Sequence, residues 1–66
     1  MRIGYGISGE YCGNVSGNVM VDPGTALEDV ADFLVRWTLK RCGAESFRGW
    51  SVALWVDGKC KFLTQY

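Results

Sequence analysis

The sequence predicts a small α+β domain in the order strand, strand, helix, strand, strand, and three stretches carry that expectation. Ile3, Tyr5 and Ile7 alternate with Arg2, Gly4, Gly6 and Ser8, the period of a strand with one buried face. Val19 to Leu34 reads as a strand, a hard stop at Asp22-Pro23-Gly24 and an amphipathic helix. Trp50 to Val56, followed by Asp57-Gly58, reads as the start of a second hairpin. Residues 1–66 form a single domain on this reading.

In the first hairpin, Tyr11 paired with Val15 across Cys12-Gly13-Asn14 sets Ile7 opposite Val19 and Tyr5 opposite Val21. Gly9 then faces Gly17, a weak point suited to a bulge. In the helix, Thr25-x-x-Glu28 has the form of a capping box. Acidic Glu28, Asp29 and Asp32 precede basic Arg36, Lys40 and Arg41, which suits the helix dipole. Leu27, Val30, Ala31, Leu34, Trp37 and Thr38 share the expected core face, with Phe33, Val35 and Leu39 at its margins; Gly43 supplies a left-handed stop.

The strand Trp50–Val56 is apolar on both faces. A two-residue turn would set Leu54 against Lys61, mixing buried and charged positions. A three-residue loop Val56-Asp57-Gly58 pairs Leu54 with Cys60, Val52 with Phe62 and Trp50 with Thr64 instead. Trp55, Ala53, Lys59, Lys61 and Leu63 then turn to the opposite side, away from the helix.

Composition narrows function by exclusion. At 66 residues only about 60 % of the unfolded chain's surface is buried on folding, which leaves little room for an enclosed active site. Seven basic and seven acidic residues cancel, so an electrostatic nucleic-acid binder is not expected. No apolar run approaches the roughly 20 residues of a membrane span, and Met1-Arg2-Ile3-Gly4 enters a strand pattern directly. A soluble cytoplasmic protein is the expectation. Cys12, Cys42 and Cys60 are widely spaced, there is no histidine, and no metal or cofactor site is expected. The cysteines read as reduced packing residues, with Cys12 in an exposed loop.

Gly4-Tyr5-Gly6-Ile7-Ser8-Gly9 spells G-x-G-x-x-G, but no helix follows to meet a pyrophosphate. The glycines read instead as a bare strip of strand backbone that an aromatic ring or a partner covers. With no histidine and with carboxylates mainly along one helix, catalysis is not expected.

V-M-V-D-P-G-T-A-L-E-D-V resembles the strand-to-helix junction of ubiquitin-like β-grasp proteins, and A-L-W-V-D-G-K is similar to their glycine-lysine turn segment. The hairpin-helix-hairpin order also resembles small immunoglobulin-binding domains of bacterial surface proteins. The resemblance implies a mixed four-stranded sheet of order 2-1-4-3, its first and last strands parallel at the centre. It does not imply conjugation or sulfur transfer, because Leu63-Thr64-Gln65-Tyr66 stands where those proteins carry Gly-Gly.

The functional expectation is a non-enzymatic module that binds another protein, or itself as a homo-oligomer, through its open sheet face or an edge strand. Trp55, Lys59, Lys61 and Leu63 are the expected contacts, with Arg2 peripheral and strands two and three at the edges. Alternatives are an inhibitor encoded by a phage or mobile element that blocks a host enzyme, and a weak single-stranded nucleic-acid binder using Trp55, Lys59 and Lys61.

Overall fold

The computed structural model describes residues 1–9 and 13–66. Strands β1 (Arg2–Gly9) and β2 (Gly13–Met20), helix α1 (Leu27–Cys42), and strands β3 (Ser51–Val56) and β4 (Lys59–Gln65) follow in the expected order. The four strands form one sheet of order β2-β1-β3-β4, and every neighbouring pair is antiparallel. The order 2-1-4-3, with its parallel central pair, is therefore not the one adopted. Strand β3 stands beside β1, and β4 is an edge.

The side chains give the reason for that exchange. A central strand gives its helix side to the core, and β3 brings Val52 and Leu54 there, fully buried, while Trp55 on the open face lies over the β1 glycines. Strand β4 carries Lys59 and Lys61, whose charges suit an edge open to water.

The core lies between the sheet and α1. Ile3, Ile7, Val52 and Leu54 meet Val30, Ala31, Leu34 and Val35 there, and Trp50 closes one end. The buried helix stripe is centred on Leu34 and Val35, so Val35 is fully buried and Trp37 is left on the flank, contrary to expectation. Thr38 is the polar member of this core.

The helix starts one residue later than the capping box predicts. Thr25 N–H donates to Asp22 O at 3.0 Å, closing the Asp22-Pro23-Gly24 turn. Ala26 is the N-cap, without a side-chain cap, and its carbonyl accepts from Asp29 and Val30. At the other end Gly43 is left-handed, φ 71°, and its N–H donates to Leu39 O, as expected.

The first hairpin adopts a different register from the predicted one. Ile3 pairs with Val19, Tyr5 with Gly17, Ile7 with Val15 and Gly9 with Gly13. The displacement is an even number of residues, so both registers keep valines on the helix side and the hydrophobic pattern does not separate them. Close packing does: a Cβ on Gly17 would stand 3.0 Å from the Tyr5 hydroxyl. The expectations for Tyr11 and Cys12 lie outside the described residues.

In the second hairpin Asp57 (φ 54°) and Gly58 (φ 77°) form a two-residue turn, and Val56 pairs with Lys59. A register shift then pairs Trp55 with Cys60 and Leu54 with Phe62, leaving Lys61 as the extra residue. The bulge lies in β4 and not in the loop. It restores an apolar partner to Leu54, while Cys60 is exposed opposite Trp55 rather than on the helix side.

Candidate interaction surfaces

The open sheet face was expected to gather five contacts, and it gathers them unevenly. Trp55 does point away from the helix: it pairs with Gly4 of β1, and its ring edge would lie 3.3 Å from a Cβ on Gly6. The indole thus covers the bare strip of β1, which explains why only 38 % of it is exposed. Leu63 pairs with Ala53 on the same face and is 73 % exposed. Between them runs a shallow groove of about 250 Å³ lined by Gly6, Ser16, Ala53, Trp55 and Leu63.

Lys59 does not flank Trp55 as predicted. Lys59 is paired with Val56, one step along β3 on the other side of the pleat, and Lys61 stands in the bulge. Arg2 pairs with Met20 beyond the Gly4/Trp55 position.

A second surface lies along β2, one of the two strands expected at the edges, and along the neighbouring flank of α1, which was not predicted. Val21 N–H donates to Met1 O at 2.8 Å and the Met1 amine donates to Val21 O at 2.7 Å. Antiparallel ladders alternate, so Val19, Gly17 and Val15 likewise turn their N–H and C=O groups toward β1. Those of Met20, Asn18, Ser16 and Asn14 face outward from the sheet edge. No residue of β2 is charged or proline, and its pairing with β1 has no shift.

Above that edge stand exposed aromatic residues of α1. Phe33 is 61 % exposed and lines, with Val19, Met20, Val21, Pro23 and Asp29, a groove of about 560 Å³. One turn further, Trp37 borders a cavity of about 390 Å³ with Tyr5, Val15, Ser16, Thr38 and Arg41. Arg41 lays its guanidinium 4.7 Å from the Trp37 ring centroid, a cation–π contact. Thr38 Oγ1 is buried at this cavity without a hydrogen-bond partner.

The opposite flank of α1 is closed by its own contacts. Arg36 bridges Asp32 at 3.0 Å and lies 5.5 Å from the Phe47 ring, which packs edge-on against Tyr66 at 5.2 Å. Burial, and then the Asp32 carboxylate, raise the Tyr66 phenol above its usual range, partly offset by Arg36.

Cys42 is disulfide-bonded rather than a reduced packing residue, and Cys60 is an exposed free thiol. Among the described residues no cluster of histidine, cysteine and carboxylate side chains gathers to hold a metal. No helix of the described residues is long and apolar enough to cross a membrane. No family profile, curated protein or solved structure matches the chain.

The signal for the β2 surface was present in the sequence. Gly13 to Met20 is an uncharged strand, and Phe33 and Trp37 are one helical turn apart beside it. The Phe33/Trp37 part of it was missed because Trp37 falls on an apolar stripe by periodicity and only packing shows which side of that stripe meets the sheet.

Proposed function

We propose that this chain is a non-enzymatic protein-interaction module that accepts a partner strand along β2, with the Phe33/Trp37 flank of α1 covering the junction. One observation carries the reading: β2 is an eight-residue edge whose outward N–H and C=O groups are guarded by neither charge, proline nor bulge. Addition of a strand to such an edge supplies main-chain hydrogen bonds, while the apolar groove at Val19, Met20 and Phe33 supplies side-chain selectivity.

The open face offers a second reading, favoured by the exposure of Leu63 beside the Trp55 groove. Affinity capture from the native host with the wild type, Asn18→Lys and Leu63→Lys separates the two. Loss of a bound protein with Asn18→Lys alone is the expected result. Loss with Leu63→Lys alone transfers the site to the open face, and binding unchanged by either variant overturns both readings.

A further inference from the structure

Resting on the edge-strand reading, we infer that the occupant of β2 is the β2 strand of a second copy, paired antiparallel about a two-fold axis at Gly17. A self-paired strand must match itself when reversed, and residues 14–20 of β2 do so about that residue. Val15 falls opposite the partner's Val19 on the helix side, Ser16 opposite the partner's Asn18, and Asn14 opposite the partner's Met20. The last two pairs join residues whose N–H and C=O groups face outward, so they and their two-fold mates exchange main-chain hydrogen bonds. Moving the axis to Ser16 or Asn18 removes one hydrogen-bonded pair from the ladder and sets valine opposite glycine.

The helices add charge complementarity. Phe33 and Asp29 share a groove with Val19–Asp22, whereas Trp37 and Arg41 share a cavity with Val15 and Ser16, so α1 runs antiparallel to β2. The two-fold axis therefore brings the Asp29/Phe33 end of one helix alongside the Trp37/Arg41 end of the other. The first turn is acidic through Glu28 and Asp29 and the last is basic through Lys40 and Arg41, so opposite charges face each other at both ends of the junction. Phe33 and Trp37 cover the valine pairs between them. The chain's zero net charge adds no general repulsion to oppose the contact.

The assembly is a continuous eight-stranded sheet with both helices on one face, bounded on each side by the lysine-bearing β4. Because β4 carries a bulge and two lysines, the assembly closes at two copies and does not extend.

Sedimentation equilibrium on the whole chain from about 1 µM to about 500 µM tests the inference, with concentrations chosen to span weak and moderate dimers. The expected result is a reversible dimer, with amide-exchange protection of Ser16 and Asn18 that rises with concentration. Ser16→Pro removes an outward N–H that the β1 ladder does not use, so it is expected to give a monomer with an unchanged circular dichroism spectrum. Asn18→Lys serves if the proline variant misfolds, and Phe33→Asp is expected to weaken dimerisation about tenfold while leaving the fold intact. A wild type that stays monomeric throughout overturns the second-copy inference, and the edge-strand reading then stands or falls on the capture experiment with Asn18→Lys. A dimer unchanged by Ser16→Pro and Asn18→Lys, both correctly folded, overturns the inference and shows that β2 is not the contact.

Discussion

The two edges of this sheet are built in opposite ways. Strand β4 begins at a two-residue turn, carries Lys59 and Lys61, and is interrupted by a bulge after Trp55 and Cys60. Strand β2 is uncharged, unbroken and overlooked by Phe33 and Trp37. A free edge is a template for strand addition, and proteins blunt it with charge, proline and bulges. One edge of this chain has two of those devices and the other has none, so β2 is the unprotected edge, which is the basis of the proposed strand addition there.

The inner strands bear on the comparison because both edges depend on how β1 is held. A Cβ on Gly9 would lie 2.5 Å from the Trp50 indole nitrogen. Gly9→Ala is therefore expected to destabilise the fold by about 3 kcal/mol through overpacking at a buried ring. Urea unfolding measures it, and an unshifted midpoint would mean that Trp50 does not seal the end of the β1–β2 hairpin. Trp55→Ala should have the next largest effect, about 1.5 kcal/mol, because the indole covers Gly4 and Gly6 at the sheet centre. A variant of full stability that loses partner binding would return the functional surface to the open face.

The comparison of the edges is broken most directly by making them alike. Replacing Lys59 and Lys61 by threonine leaves β4 uncharged, with only its bulge as protection. Self-association is expected to strengthen about tenfold, near 1.4 kcal/mol, and to progress beyond a dimer as light scattering rises with concentration. Unchanged scattering would show that the bulge alone protects β4. The smallest effect is expected at Thr25→Ala, less than about 0.5 kcal/mol, because the helix has no side-chain cap and Thr25 is engaged through its backbone. A loss of a full kilocalorie in thermal unfolding would restore Thr25 as a cap.

Element order and type followed from local chemistry. Alternation at Ile3, Tyr5 and Ile7, the stop at Pro23-Gly24, the charge order of α1 and the left-handed Gly43 each act over a few residues, and each appears where expected. Even the covering of the β1 glycines by an aromatic ring was legible, since a bare strand needs a neighbour with a large ring.

Strand order, both registers and the identity of the exposed aromatic residues were decided by the tertiary structure. The strand directions of hairpin, helix and hairpin allow either β3 or β4 to stand beside β1. The choice depends on which strand has the more apolar residues to place at the sheet centre: β3 buries Val52 and Leu54 and lays Trp55 over the β1 glycines, whereas β4 carries two lysines. The β1–β2 register depends on the fit of Tyr5 over Gly17, and the β3–β4 register on a bulge that exchanges Lys61 for Phe62 opposite Leu54. Trp37 and Val35 trade their expected places because helical periodicity defines a stripe, while its centre is set by where the sheet lies. Sequence chemistry thus determined what this chain is made of, and long-range packing decided which edge it leaves open.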